Sequence, residues 1–311
     1  MKALITGANG FIGSSLITYL QDRGYALGCV IRNDNSNIQF DVVKEDSLLH
    51  HVGDRVFQGD LTDSKFVKYV YEDFKPNIVY HLAANPMVKK DENNPHQIIY
   101  DNILATQNMC EYAIGCPRFI FASSVVVYGN KDHRVNENDY CSPTSLYAVS
   151  KLAGEGIINA YNEEGKINGV SLRLCATVGN RLTHGIIYDF IRKVQSDSEH
   201  LECFGDAPGS TKPFCHIDDV CKAMHLISRL LNQGTYNVVP YDEINVEKVA
   251  RTVMKALEII KPIKFLGEKT VWKGDNKVIQ CSNKRLVYRG WTPKYETSSQ
   301  AIYQAVLNNV S

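Results

Sequence analysis

The chain has 311 residues, of which 44% are hydrophobic and 22% are charged, so it can bury a sizeable core. Its 34 basic and 34 acidic side chains cancel, which leaves no electrostatic signature of a nucleic-acid or anionic-membrane partner. The sequence contains no run of about 18 apolar residues, so no membrane span is predicted. The amino terminus lacks a signal-peptide pattern. These features predict a cytoplasmic protein of one large or two ordinary domains.

The nine cysteines are an odd number, and none of them forms a Cys-x-x-Cys motif. Most lie in apolar stretches, as Cys29 does within residues 27–31. We therefore expect reduced core thiols in a reducing compartment. The potential zinc ligands are not compactly spaced along the chain, so no metal site is predicted.

Short apolar runs alternate with stretches of helical periodicity in the first part of the chain. Nearly continuous apolar runs are typical of strands buried on both faces of a parallel sheet. The alternation predicts an α/β protein with a doubly wound parallel sheet. The apolar runs are residues 3–5, 26–31, 56–58, 78–80, 119–121 and 170–174, and the helical stretches include 11–20, 66–74 and 98–113.

The pattern loosens further along the chain, where loops at 205–213 and 267–275 interrupt shorter elements. We interpret residues 1–175 as the sheet domain and residues 176–311 mainly as a smaller lobe. The helix and strand predicted within about 218–240 are able to return to the main sheet.

A glycine-rich turn follows the first predicted strand and opens a helix. Glycines let the backbone turn tightly and approach a pyrophosphate, and the helix presents unpaired N–H groups at its positive end. A strand before the turn and a helix after it are the context that a dinucleotide site needs. The predicted contacts are Gly7, Gly10, Phe11, Ile12 and Gly13 in the segment Thr6-Gly7-Ala8-Asn9-Gly10-Phe11-Ile12-Gly13.

Three side chains form a candidate catalytic set. Tyr147 and Lys151 are four residues apart in a predicted helix, so they share one face. An ammonium beside a phenol favours the phenolate, so we expect a lowered pKa for Tyr147 and acid/base work near neutral pH. Ser124 ends the fifth predicted strand, at the sheet edge where ligands bind, and its hydroxyl can hydrogen-bond a substrate oxygen.

The Gly-x-x-Gly-x-x-Gly spacing and the catalytic set resemble the extended branch of the short-chain dehydrogenase/reductase superfamily. This resemblance covers nearly the whole chain. It implies a Rossmann-like fold, a smaller C-terminal substrate-binding lobe and a nicotinamide cofactor. Asn102 matches a family Asn that braces the active site. The further cofactor contacts that the resemblance implies are Asp60, Leu61, Leu82, Ala83, Ala84, Tyr147 and Lys151.

The end of the second predicted strand bears on the choice between NAD and NADP. In the resembled family an acidic residue at this place holds the adenosine ribose. Here the place falls on Ile31, and Arg32 comes next. An Arg favours a 2′-phosphate, so the sequence predicts NADP slightly ahead of NAD, although Asp34 is close enough to keep NAD open.

Segments 81–86, 179–185, 212–219 and 289–293 resemble nucleotide-sugar epimerases and dehydratases, most closely UDP-glucose 4-epimerase-like proteins. The family mechanism implies that Tyr147 removes the C4 hydroxyl proton while a hydride passes from C4 to the nicotinamide. The 4-keto sugar then rotates and the hydride returns to its other face. Lys151 would hold the nicotinamide ribose.

Two aliphatic residues argue against dehydration. The family's 4,6-dehydratases carry an Asp-Glu pair just after the catalytic Ser or Thr, where this chain has Val125 and Val126. Aliphatic side chains cannot do the acid/base work of elimination. Val126 also argues against the related decarboxylases.

The predicted diphosphate pocket departs from the family pattern. A family Asn falls on Ala176, and a family Arg falls on Lys212, which binds phosphate as a point charge rather than bidentately. Either the nucleotide sugar is unusual or other side chains rebuild these contacts. The predicted substrate-binding residues are Ser124, Tyr147, Thr183, His184, Tyr188, Lys212 and Lys273.

We therefore predict a nucleotide-sugar 4-epimerase of the UDP-hexose class. The alternative is an NADPH-dependent 4-ketoreductase of a nucleotide-linked 4-keto sugar, which Arg32 favours. A non-catalytic dinucleotide sensor is a third hypothesis, and the intact catalytic set argues against it. The predicted partner is a nucleotide-diphosphate sugar, with no nucleic acid and no membrane, and the resemblance implies a homodimer.

Overall fold

The computed structural model describes residues 1–32, 55–86, 95–230, 233–267 and 276–310. They divide into two compact units. The first comprises Met1–Ser124, Leu146–Arg173 and Met224–Tyr236, and the second comprises Val125–Ser145, Leu174–Ala223 and Asn237–Ser311. Residues 125–145 fall in the second unit, whereas the sequence analysis placed them in the first domain.

The secondary structure alternates between strands and helices from the first residues. In chain order the strands are β1 (Lys2–Thr6), β2 (Ala26–Ile31), β3 (Arg55–Gln58), β4 (Ile78–His81), β5 (Arg118–Ser124), β6 (Gly169–Leu174), β7 (Ala176–Val178), β8 (Leu201–Cys203), β9 (Thr211–Lys212), β10 (Phe214–His216), β11 (Gly234–Val238), β12 (Ile244–Asn245) and β13 (Ile263–Phe265).

The helices lie between these strands and at the end of the chain. In chain order they are α1 (Phe11–Gln21), α2 (Ser64–Phe74), α3 (Pro95–Ile99), α4 (Ala105–Glu111), α5 (Leu146–Glu163), α6 (Ile186–Gln195), α7 (Ile217–Arg229), α8 (Val246–Leu257), α9 (Lys284–Tyr288) and α10 (Ser298–Val310). A π-helical turn, Tyr100–Leu104, joins α3 to α4, and a 3-10 turn, Val125–Tyr128, follows β5.

A seven-stranded sheet has the order β11–β6–β5–β4–β1–β2–β3. The pairs β1–β2, β1–β4, β2–β3 and β4–β5 are parallel. The strand order reverses where β1 lies beside β4, and ligands of such sheets bind at this switch point, at the carboxyl ends of the strands. The predicted α/β fold with a Rossmann-like parallel sheet is confirmed.

Each unit has its own apolar core. In the first unit, strand residues such as Leu4, Val79 and Phe119 pack with Val67 of α2 and Met109 of α4. In the second unit, buried side chains of α6, α8 and α10 form a separate cluster. Both clusters follow from helices that place one apolar stripe against a neighbouring element.

The helical stretch predicted over residues 98–113 is not one continuous α-helix. The π-helical turn interrupts it and inserts an extra residue into the helical repeat. As a result two adjacent polar residues, Asp101 and Asn102, are 3% and 4% exposed.

All nine cysteines lie among the described residues, none of them forms a disulfide, and eight are buried. Among the described residues, no helix has the length and apolar character needed to cross a membrane.

Candidate active site

The loops after β1 and β4 meet at the switch point of the sheet. Thr6 and His81 are partners in the register of these two strands. A Cβ atom placed on Gly7 would lie 2.9 Å from the backbone N and Cα of Ala83, so only glycine allows this approach. The loops predicted to contact the cofactor are therefore packed against each other.

The glycine turn has the geometry of an anion site. Gly7 adopts a φ of +66°, and a Cβ on Gly13 would lie 2.2 Å from the Gly7 carbonyl oxygen. Helix α1 begins at Phe11, its N-cap Gly10 has no side chain to cap it, and its first turn, all of it described, carries no acidic residue. The N–H groups of that turn are thus left to an anion such as a pyrophosphate. These residues fit a dinucleotide.

A buried hydrogen-bond chain supports the loop after β4. The Thr6 hydroxyl accepts bonds from the N–H groups of Leu82 and Ala83, and it lies 2.8 Å from Nδ1 of His81. Thr106 Oγ1 lies 3.1 Å from His81 Nε2. Burial and the charge of Lys151 lower the pKa of His81 to about 3, so the imidazole is neutral and serves as a structural link.

The hydroxyl of Thr106 fixes the tautomer of His81. It donates to the Asn102 carbonyl oxygen at 2.7 Å, so it accepts a bond from Nε2–H of His81. Nδ1 then accepts the proton of the Thr6 hydroxyl. Every member of this chain is hydrogen-bonded, which makes it rigid.

Asn102 links the loop after β4 to the helix that carries Tyr147 and Lys151. Its Oδ1 accepts from the Asn85 N–H at 2.7 Å, and its Nδ2 donates to Ser150 Oγ at 2.9 Å. Ser150 Oγ in turn donates to the Tyr147 carbonyl oxygen at 2.8 Å. These bonds connect the loop after β4 to α5, and the bracing role that the resemblance implies for Asn102 stays a prediction.

Lys151 lies beside the end of β5. Its Nζ donates a 2.7 Å hydrogen bond to the carbonyl of Ala122, two residues before Ser124, and lies 5.7 Å from the centre of the Tyr147 ring. Burial lowers the pKa of Lys151 to about 8. The structure thus brings Lys151 and Tyr147 together on one face of α5, as predicted, beside the strand that ends at Ser124.

The pKa of Tyr147 differs from the sequence-based expectation. Burial raises it to about 12 instead of lowering it. The phenol loses its hydration, and the ammonium of Lys151 is directed at the Ala122 carbonyl. In this state the phenol is held in its protonated form.

Sequence reasoning missed a buried ion pair under this site. Arg173 of β6 donates to both carboxylate oxygens of Glu155, from Nε at 2.9 Å and from Nη2 at 2.7 Å, and Ser123 Oγ donates to Glu155 Oε1 as well. Glu155 lies one helical turn beyond Lys151, and Ser123 precedes Ser124. The available signal was that spacing, which places Glu155 on the catalytic face of α5.

The remaining predicted cofactor residues lie after β2 and β3. The Asp60 carboxylate accepts bonds from the N–H and the hydroxyl of Thr62, which order this turn, and Leu61 is buried. Arg32 pairs with Asp101 at 3.1 Å. Asp34 lies outside the described residues.

The predicted substrate-binding residues of the later chain lie in the second unit. Thr183 and His184 precede α6, and Thr183 Oγ1 is 3.2 Å from His184 Nδ1. Tyr188 is in α6, where the Arg192 guanidinium lies 5.7 Å from its ring centre. Lys212 is partly buried on β9, and Lys273 lies outside the described residues. Their role in binding stays a prediction.

The model of the NAD dependent epimerase/dehydratase family matches residues 3–239. UDP-glucuronate 4-epimerase 2 of Arabidopsis thaliana is 31% identical over 232 residues, or 71% of this chain and 53% of that protein. The Homo sapiens dTDP-D-glucose 4,6-dehydratase is 27% identical over 276 residues, or 87% of this chain and 77% of that protein. The crystal structure of Thermus thermophilus UDP-glucose 4-epimerase in complex with NAD is 26% identical, covers 99% of this chain and 98% of its own, and has a TM-score of 0.85.

This chain spans about half the length of the first Arabidopsis relatives that it matches. The matched family region includes the glycine turn, Ser124, Tyr147 and Lys151. The matched region, residues 3–239, is 237 of the 311 residues. The chain belongs to the NAD dependent epimerase/dehydratase family.

Proposed function

We propose that this protein is a nucleotide-sugar 4-epimerase of the UDP-hexose class. The observation that carries the proposal is the position of Lys151, bonded to the Ala122 carbonyl beside the strand end at Ser124, with Tyr147 one turn earlier on the same helix. The relatives named UDP-glucuronate 4-epimerase and UDP-glucose 4-epimerase support a UDP-hexose as substrate.

In this proposal Tyr147 exchanges the proton of the C4 hydroxyl, and Ser124 hydrogen-bonds the same oxygen. Lys151 holds the cofactor ribose and supplies positive charge near the phenol. When bound, the oxidised nicotinamide supplies a hydride acceptor and a further positive charge. Both charges oppose the effect of burial, which alone raises the pKa of Tyr147 to about 12.

The cofactor in this proposal is NAD rather than the NADP that Arg32 suggested. The T. thermophilus relative is described in complex with NAD. In this chain the guanidinium of Arg32 pairs with Asp101. The N–H groups of the first turn of α1 receive the pyrophosphate in either case, because both cofactors carry one.

The proposal also includes contacts to the nucleotide-diphosphate part of the substrate from residues of the later chain. These residues are Thr183, His184, Tyr188, Lys212 and Lys273. Alanine substitution of a true contact raises KM while leaving kcat nearly unchanged, because uniform binding is lost. The homodimer and the cytoplasmic location also stay part of the proposal, and light scattering of the purified protein tests the first of them.

The test is proton NMR of the purified protein with UDP-galactose, and separately with UDP-glucuronate, without added cofactor. The proposal predicts that the C4 epimer of one of them accumulates, and that Tyr147→Phe forms it more slowly by a factor of about 10² or more. If neither sugar changes, with or without added NAD, while NADPH is consumed with a nucleotide-linked 4-keto sugar, the ketoreductase replaces the epimerase.

A further inference from the structure

The ion pair between Arg32 and Asp101 joins the end of β2 to the π-helical turn between α3 and α4. Arg32 directly follows β2, the place where Rossmann-like folds receive the adenosine ribose. Nη2 of Arg32 lies 3.1 Å from Oδ2 of Asp101. The Arg32 side chain is 48% exposed, whereas that of Asp101 is 3% exposed. The carboxylate is therefore the buried member of the pair, whereas the guanidinium reaches it from the surface.

Neighbouring amides fix the Asp101 carboxylate in place. Gln97 Nε2 donates to its Oδ1, and Asn85 Nδ2 lies 3.3 Å from its Oδ2. The π-helical turn buries Asp101 beside Asn102, which holds the backbone of Asn85. A buried carboxylate needs a cation to offset its lost hydration, and Arg32 is its cationic partner among the described ion pairs.

This pairing determines what Arg32 can bind. A 2′-phosphate on the adenosine ribose would need the guanidinium that Asp101 already holds, and the nearby carboxylate would repel that phosphate. Resting on the proposed dinucleotide site, we propose that Asp101 is the residue that selects NAD over NADP, because it withholds Arg32 from the 2′-phosphate. Asp101 is thus a specificity-determining residue that acts through another side chain.

The experiment measures the dissociation constants of NAD and NADP by isothermal titration calorimetry, after removal of any co-purified dinucleotide. The variants are Asp101→Asn, Arg32→Ala and the double variant. Asp73→Asn is the matched control, because it breaks the Arg55–Asp73 pair of the same unit (3.3 Å). Arg55 begins β3, the edge strand beside β2, where it pairs in register with Gly28 rather than lying at the carboxyl end of the strand.

We expect the wild type to favour NAD and Asp101→Asn to shift the NAD-to-NADP affinity ratio towards NADP by about tenfold, the effect of one charge-assisted contact. The double variant should lose this shift. Asp73→Asn should leave the ratio at the wild-type value. Arg32→Ala alone should change NADP affinity by less than about threefold, because the guanidinium is engaged elsewhere.

Three results overturn the inference. They are a wild type that already favours NADP, an Asp101→Asn variant with an unchanged ratio, and a tenfold loss of NADP affinity in Arg32→Ala alone. If Asp101→Asn does not fold, the wild type and the exposed Arg32→Ala still decide the question. If neither dinucleotide binds the wild type, the proposed function fails as well, whereas tight NAD binding with an unresponsive ratio removes only the role of Asp101.

Discussion

Lys151 holds its ammonium on the carbonyl oxygen of Ala122 at 2.7 Å, inside the protein and two residues before the end of β5. A buried ammonium that donates to a backbone carbonyl has lost most of its hydration. Burial accordingly lowers its pKa to about 8. The buried charge of Lys151 therefore lowers the stability of the folded state, as expected of a residue whose role is chemical.

We predict that Lys151→Met is inactive yet more stable than the wild type at pH 7, by about 1–3 kcal/mol. The pKa of this lysine is about 8 in the folded state and near its ordinary 10.5 in the unfolded state. Below pH 8 both states bind the proton and the full cost is present. Between the two values only the unfolded state binds it, so wild-type stability rises with pH.

Urea unfolding of both proteins between pH 6.5 and pH 10.5 measures this difference. The advantage of Lys151→Met should shrink as the pH rises through about 8 towards 10.5. An advantage that does not depend on pH would mean that the ammonium costs the fold nothing.

Tyr147→Phe removes the phenolic oxygen and leaves the ring. We expect kcat to fall by a factor of about 10²–10⁴, the usual contribution of a positioned acid/base group. Tyr161→Phe is the matched control on the same helix, because its hydroxyl donates to Glu111 at the surface. Steady-state rates of both variants decide the assignment, and full turnover by Tyr147→Phe would exclude Tyr147 as the acid/base group.

We predict that the Glu155–Arg173 ion pair is the polar contact between α5 and β6 that stabilises the fold most. Glu155→Ala leaves a buried guanidinium without its carboxylate, so it should cost about 3–5 kcal/mol of unfolding free energy. The exposed pair Glu247–Arg251 is the control, and Glu247→Ala should cost less than about 1 kcal/mol. Equal losses in the two variants, measured by urea unfolding, would show that burial of the first pair has no energetic consequence.

Replacing both members of the pair separates stability from positioning. The double variant Glu155→Met and Arg173→Met removes both charges of this pair, so much of the lost stability should return. In the double variant Ser123 has still lost its acceptor. Ser123 precedes Ser124, so if Glu155 positions Ser124 through this bond, kcat should stay below the wild-type value while KM changes little. A double variant with wild-type kcat would contradict a positioning role for Glu155.

Gly13→Ala tests the glycine turn. Its Cβ would lie 2.2 Å from the Gly7 carbonyl oxygen, so the turn must open, at a cost of about 1–3 kcal/mol and with loss of dinucleotide binding. Gly156→Ala is the control, because Gly156 is exposed on α5 and, among the described residues, no atom beyond its chain neighbours and the adjoining helix backbone would lie within 4 Å of its Cβ. That variant should gain about 0.5–1 kcal/mol. Thermal unfolding and NAD calorimetry compare the two, and unchanged NAD binding in Gly13→Ala would contradict the site.

The sequence predicted well those elements whose structure depends on residues close together in the chain. Strand β2 was predicted and found over the same residues, 26–31, because a continuous apolar run can only be buried on both sides. The glycine turn and the spacing of Tyr147 and Lys151 could also be recognised in the sequence, since each depends on residues that are neighbours along the chain or on one helix face.

The features that the sequence could not predict depend on partners distant in the chain. Asp101 and Glu155 look like solvent-facing helix residues, and only folding brings Arg32 and Arg173 to them. The π-helical turn leaves no mark on hydrophobic periodicity. The pKa of Tyr147 was predicted in the wrong direction because a local charge was considered without the loss of hydration on burial.

The central claim is that the hydrogen at C4 leaves the sugar and returns to it within one protein. Proton NMR of UDP-galactose in D₂O, without added dinucleotide, tests it directly. We expect the C4 epimer with protium retained at C4, because a hydrogen moved as hydride does not exchange with solvent. Deuterium at C4, or no conversion unless NADPH is consumed, would contradict it.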